Sequence, residues 1–206
     1  MENCSFCSLK LFSVTPLTIG TDSAWLGGEK TSPSSLTVPN SRPIMLLMKR
    51  STGAKHTRNA NDLVRQWSAA FTERLMSALR KQFPEYELKL FSDTDEQLMG
   101  CHACQVRAFA EADVLIGMHG AGLSNQLYMK PNSAIVELCP YPNDGRCLLG
   151  GGPFSRTAAL LSHNYMIHHP PHTEYKWILK DKTSEFDVER FVSHIYSYLQ
   201  SVKAPP

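Results

Sequence analysis

No run in this 206-residue chain approaches the roughly 20 consecutive apolar residues that a membrane helix needs, so the sequence offers no span. The opening Met1-Glu2-Asn3-Cys4 also lacks the basic-then-apolar layout of a signal peptide. Nothing in the chain would carry it into the secretory pathway unaided, which leaves either a cytosolic protein or one whose N-terminus is missing. A surplus of one charge sign is lacking too. Lys+Arg 21 against Asp+Glu 19 gives a formal net charge of +2, too little to steer a nucleic acid or an acidic membrane surface, so any anion site must be local. There is no internal repeat, no G-x-S-x-G nucleophile elbow and no G-x-G-x-x-G dinucleotide fingerprint. Without the elbow, an esterase-type hydrolase is excluded, although His119-Gly120-Ala121-Gly122 looks like an H-G-G-G oxyanion segment.

What is present suits one real core and falls short of two full-sized domains: 42% of residues are hydrophobic and 19% charged. The six cysteines, Cys4, Cys7, Cys101, Cys104, Cys139 and Cys147, form two C-x-x-C pairs and one pair eight apart. Paired C-x-x-C knuckles of a zinc site usually lie about 15–20 residues apart, and the separation from Cys7 to Cys101 is far larger than that. The competing expectation is that Cys101 and Cys104 are helix-face residues, while Cys139 and Cys147 close a loop as a disulfide in an oxidising compartment.

Residues 1–42 are rich in Ser, Thr, Pro and Gly and show no sustained period, so they read as a loosely ordered lead-in. From residue 43 to 206 short apolar runs alternate with amphipathic stretches, the order of a parallel sheet flanked by helices. Ile44 to Met48 suits a strand buried on both faces. Leu63, Trp67, Phe71, Leu75 and Leu79 recur every four residues and predict a helix over 62–83, stopped by Pro84. Strands are expected at 86–91, 114–116, 134–138 and 165–167. Capping boxes at Thr94–Gln97 and Ser184–Asp187 are expected to open helices, and a short helix is expected near 157–161. The whole is α/β, with a Rossmann-like order.

In an open parallel sheet, ligands bind at the carboxyl ends of the strands, and the loop after Ile116 leaves such an end. Gly117, Gly120 and Gly122 remove three side chains within six residues, letting the backbone approach a ligand and offer N–H groups, an arrangement suited to a diphosphate. The structural alternative is a tight turn needed only for helix–sheet packing. Arg50 and Arg58 flank the loop after the first strand and are expected at the same edge, where guanidinium groups would grip phosphate without metal. The plainer reading makes them two solvated loop arginines.

Residues 112–125, Ala112-Asp113-Val114-Leu115-Ile116-Gly117-Met118-His119-Gly120-Ala121-Gly122-Leu123-Ser124-Asn125, with Lys130-Pro131-Asn132-Ser133 and Ala134–Leu138, closely resemble the signature of glycosyltransferase family 61. That family includes plant xylan arabinosyl- and xylosyltransferases and animal O-linked N-acetylglucosaminyltransferases. Arg50, Arg58 and Asn61 look like its arginine, arginine, asparagine pattern, and Gln105 resembles a family glutamine. The resemblance implies a GT-B fold, of which this chain matches the C-terminal, donor-binding half; the family's N-terminal domain and membrane anchor have no counterpart, so an incomplete chain is expected. It further implies inverting transfer from a UDP-sugar to a glycan or glycoprotein hydroxyl in the Golgi or endoplasmic reticulum lumen, with no metal required. Arg50 and Arg58 would then hold the diphosphate, and Gly120, Ala121, Gly122 and Leu123 would offer backbone N–H groups. Asn61 and His119 would line the site, and Glu137 would accept bonds from ribose hydroxyls or serve as a helix-cap partner. His119 is the candidate base in catalysis, against a role in orienting the loop.

Two rival readings stand beside this one. Asp93-Thr94-Asp95 is a D-x-D that would bind a divalent ion with a diphosphate, unless the same residues simply start a helix. A non-catalytic nucleotide-binding or zinc-stabilised module is the alternative of a different class.

Overall fold

Five apolar runs become the strands of one all-parallel sheet: β1 (Ile44–Lys49), β2 (Glu87–Ser92), β3 (Val114–Met118), β4 (Ala134–Leu138) and β5 (Asn164–His168). Their order is β2-β1-β3-β4-β5, so the chain steps outward from β1 to β2 and then returns across β1 to build the other side. This is the flavodoxin-like arrangement within the Rossmann-like class, and its switch point lies between β1 and β3. The computed structural model describes residues 42–50, 67–139, 147, 152–170 and 186–203, all of which fall within the unit Asn40–Pro206. Residues 1–41 of the expected lead-in, together with Leu63, Arg58 and Asn61, lie outside the described residues.

Strands β3 and β4 are buried along their whole length, which is why they read as continuous apolar runs. One face carries Met45, Leu47, Val114, Ile116, Val136 and Leu138 against helices α1 (Ala69–Gln82) and α5 (Val188–Lys203). The opposite face carries Leu46, Leu115 and Ile135, covered by Phe109 of α3 (His102–Glu111) and by Leu123. A further covering helix, α4 (Pro153–Leu160), brings Phe154 to that face. At the amino edge Asp113 ties the sheet together: its Oδ2 accepts the Ile44 N–H at 2.8 Å and its Oδ1 meets Lys130 Nζ at 2.8 Å.

Helix starts differ from the sequence reading for a common reason, the choice of cap. Ser68 Oγ accepts the Phe71 N–H at 3.1 Å and begins α1 there, leaving Trp67 buried just before it rather than on its stripe. Asp95, not Thr94, caps the short helix α2 (Glu96–Met99), and Gly100 ends it before α3 begins. Asp187 Oδ1 accepts the Arg190 N–H at 2.9 Å at the start of α5, while Ser184 lies outside the described residues. In each aspartate case the carboxylate sits at the N-terminus of the turn, where the helix dipole favours negative charge.

His168 closes β5 under α5, with its Nδ1 3.2 Å from His194 Nδ1 and its ring 4.7 Å from that of Phe191. Burial first, then His194, Arg190 and His169, with Asp187 opposing, push its pKa down to about 4. The unfolded chain therefore binds this proton more readily, and the stability held above pH 6.5 is lost as pH falls from about 6.5 to 4. The loss attributable to His168 should be at most about 3 kcal/mol. Urea midpoints measured across that window should fall in the wild type and fall less steeply in His168→Phe; parallel profiles would remove His168 as the cause.

Candidate functional site

The pairing of β1, β3 and β4 sets one row of residues at their carboxyl ends: Met48 is paired with Gly117, and Gly117 with Glu137. Two residues beyond that row β1 delivers Arg50 and β3 delivers His119, so both leave the sheet at the switch point. The Arg50 carbonyl accepts the Trp67 N–H at 2.9 Å, which anchors the backbone there. Strand alternation puts residues 115, 117 and 119 of the β3 run on the face that also carries Ile135 and Glu137.

On that face lies a buried polar chain. His119 Nδ1 bonds to Glu137 Oε1, and the Tyr165 hydroxyl donates to Glu137 Oε2. Tyr165 is paired with Ile135 in β5 and so reaches along the same face to Glu137. Glu137 is only 2% exposed and His119 6%, so the carboxylate is met by two partners in place of water. Burial, then the Glu137 charge and the hydrogen bond to it, push the Tyr165 phenol above its ordinary range, keeping it a donor. The His119 backbone N–H donates to the Leu138 carbonyl at 2.9 Å, and the Phe154 ring lies edge-on to the imidazole at 5.3 Å, so both the backbone and the ring of His119 are held.

The loop then turns at Gly120, with φ 156 and ψ 174, a conformation essentially restricted to glycine. It continues as a 3-10 helix, Ala121–Tyr128, rather than as an α-helix. Its first turn bond runs from the Leu123 N–H to the Gly120 carbonyl at 2.9 Å. Of the four N–H groups expected to face a diphosphate, that of Leu123 is thus committed to the turn, and its side chain is fully buried. Those of Ala121 and Gly122 precede the first turn bond.

The other two glycines are occupied by packing: a Cβ on Gly117 would meet Met48 Cε at 2.7 Å, and one on Gly122 would meet Met48 Sδ at 2.6 Å. Asn125 Nδ2 closes the turn on the Gly122 carbonyl at 3.0 Å, while Gln126 Nε2 reaches the Phe154 carbonyl at 3.2 Å.

The remaining candidates take other positions. Asp95 Oδ1 accepts the Leu98 N–H at 2.9 Å, so half of the D-x-D is a helix cap, the structural role weighed against metal binding. Gln105 Nε2 donates to the Leu98 and Met99 carbonyls at 3.1 Å, joining α2 to α3. Cys101 and Cys104 are not independent helix-face residues: they are bonded to each other, with Cys101 capping α3, and so are not thiolate ligands. Cys139 and Cys147 form the expected disulfide. Cys4 and Cys7 lie outside the described residues. His119, Glu137 and Cys147 bring one ligand atom each within 4.8 Å of one another, although the Cys147 sulfur is held in its disulfide.

A parallel α/β sheet whose switch-point loops carry a glycine turn and a buried histidine–carboxylate pair belongs to the open α/β class, in which ligands gather at the carboxyl ends of the strands. The family profile described as Glycosyltransferase 61 matches residues 29–136, and the chain belongs to that family of glycosyltransferases. The matched span contains Arg50, Arg58, Asn61, His119 and the glycine turn, and stops one residue short of Glu137. No curated protein matches the chain. Among solved structures it is similar to an azoreductase from Bacillus anthracis str. Sterne, at 9% identity and TM-score 0.32 over 72% of this chain and 98% of that one. It is likewise similar to azoreductase AzrA, at 9% identity and TM-score 0.31 over 73% and 99%.

Tyr165 escaped sequence reading because only the β4–β5 register brings it to Glu137. Its removal tests the chain of bonds directly. Tyr165→Phe should cost about 1.5–3 kcal/mol, as for a hydrogen bond to a charged group, and Glu137→Ala about 3–5 kcal/mol, as for breaking a buried pair. In urea unfolding the tyrosine's cost should largely vanish in the Glu137→Ala background; additive costs would show that the two groups are not coupled.

Proposed function

We propose that this chain binds the diphosphate of a UDP-sugar at the carboxyl edge of β1 and β3, within a GT-B type enzyme that transfers the sugar with inversion to a glycan or glycoprotein hydroxyl. The observation that carries the reading is the pairing of Met48 with Gly117, because it brings the end of β1, with Arg50, beside the glycine turn. A guanidinium and the early N–H groups of the turn then supply fixed positive charge for a leaving diphosphate, a role that needs no metal. Arg58 and Asn61 belong to the reading through the family pattern alone.

Within this reading Glu137 acts on His119 rather than on ribose hydroxyls, since its two oxygens are engaged by His119 and Tyr165. A carboxylate on Nδ1 fixes the ring's orientation and tautomer, so proton transfer from an acceptor hydroxyl would run through Nε2. Disulfides form and persist in oxidising compartments, so Cys101–Cys104 and Cys139–Cys147 support a Golgi or endoplasmic reticulum lumen for the chain. No described helix is long and apolar enough to cross a membrane.

Calorimetric titration with UDP tests the donor site. Binding should survive EDTA and Asp93→Asn, and should weaken by about 10- to 100-fold in Arg50→Ala, the loss of one charge-assisted contact. The anchored Arg50 backbone should leave the fold of that variant intact, which circular dichroism checks. Unchanged UDP affinity in folded Arg50→Ala, or binding lost in EDTA and restored by manganese, would overturn the proposal.

A further inference from the structure

Beside the His119–Glu137 pair of the donor-site reading lies a cysteine pair that this reading does not use. Cys139 continues β4 two residues beyond Glu137, on the same face, and its disulfide holds Cys147 against the His119–Glu137 pair. All four residues are buried, at 6% exposure or less. While the disulfide is intact the sulfurs carry no charge to offer a cation, and the histidine and carboxylate satisfy each other. Reduction changes the chemistry of the cluster, because each sulfur becomes a thiol that can lose its proton to a metal.

We propose that His119, Glu137 and Cys147 form a latent metal site for a zinc-type divalent cation, opened when the Cys139–Cys147 disulfide is reduced. A dithiol reductant supplies two electrons and two protons to the S–S bond, giving two thiols and the reductant's own disulfide. The cation then binds imidazole nitrogen, carboxylate oxygen and the Cys147 thiolate, displacing the thiol proton and the hydrogen bond between His119 and Glu137. Nitrogen, oxygen and sulfur donors of this kind suit zinc, and Cys139 stands beside Cys147 as a fourth donor. Tetrahedral zinc sets its ligand atoms about 3.4–3.8 Å apart. The ligand atoms all lie within 4.8 Å of one another, so shifts of roughly 1 Å bring the Cys147 sulfur in and part the hydrogen-bonded His119 and Glu137 atoms to fit the ion. The disulfide is thus a lock on the site, and its oxidation state decides whether a cation can enter.

Cobalt(II) reports such sites directly, through the visible bands of a tetrahedral ion and a near-ultraviolet thiolate charge-transfer band. Cys139→Ser frees the Cys147 thiol without any reductant and leaves Cys101–Cys104 oxidised. Purified under non-reducing conditions, the full chain carrying Cys139→Ser should take up one more cobalt equivalent than wild type, with the thiolate band. Adding Cys147→Ser should remove that equivalent, and adding Glu137→Gln should weaken it by about tenfold or more. Binding by Cys4 and Cys7 is common to all four proteins and cancels in the comparison. If Cys139→Ser does not fold, wild type reduced with a phosphine is compared with reduced Cys147→Ser in its place. Equal cobalt uptake with and without Cys147, in either format, overturns the proposal. Since cobalt is read without nucleotide, failure here leaves the UDP reading untouched, and the reverse holds too.

Discussion

A carboxylate in a strand buried on both faces must be met by partners, because an uncompensated charge there costs several kcal/mol. Glu137 imposes that constraint on its surroundings. β4 is buried along its whole length, so the partners have to come from its two neighbours in the sheet. β3 supplies His119 just past its end, and β5 supplies Tyr165 two residues below the level of Glu137. One side chain thereby fixes the orientation of the β3 loop's histidine and gives the partly exposed β5 a reason to stay in register. The imidazole that any chemistry at this edge would use is oriented by a demand for charge compensation that exists without a ligand.

The glycines of the loop divide between two tasks that sequence alone presented as one. Gly117 and Gly122 make room for Met48, whose thioether lies where their Cβ atoms would be. An unbranched, polarizable side chain suits that filling role. They lock the β1 and β3 ends together across the switch point. Gly120 alone takes the backbone conformation that needs glycine, and it is the residue that turns the chain away from the sheet. A packing explanation and a ligand explanation of the glycine-rich loop therefore hold at different positions within it.

Much of the fold was legible because β3 and β4 are fully buried and read as unbroken apolar runs, while α1 and α5 carry clear apolar stripes. Helix starts were less so. A box of the S/T-x-x-E/Q type marks a neighbourhood, but the cap itself went to Asp95 and Asp187, whose carboxylates gain from the helix dipole as well as from the N–H bond. The 3-10 geometry after Gly120 has no local signature that separates it from an α-helix. Candidate site residues were legible where they lie in one segment, as His119 and the glycines do. Tyr165 was not, since its partnership depends on strand order and register, which no window of sequence contains. The Cys101–Cys104 bond was missed because a C-x-x-C at a helix start reads equally well as two ligands, two face residues or a bonded pair.

The signature over residues 112–138 spans the sheet from one edge to the other, and its two ends serve different purposes. At the amino edge Asp113 accepts the Ile44 N–H and pairs with Lys130, joining the start of β1 to the approach to β4. At the carboxyl edge His119 and Glu137 meet across β3 and β4. In open α/β sheets ligands gather at the carboxyl edge, so resemblance in the Asp113 and Lys130 positions speaks for the sheet's construction, and resemblance in the His119 to Gly122 positions speaks for its chemistry. Five residues of β3 separate the two. A relative could therefore keep the aspartate and lysine, and with them the fold and the family profile, while losing the histidine at the other end. Family membership and a working site are separable properties of this segment, and it is the His119–Glu137 end that distinguishes them.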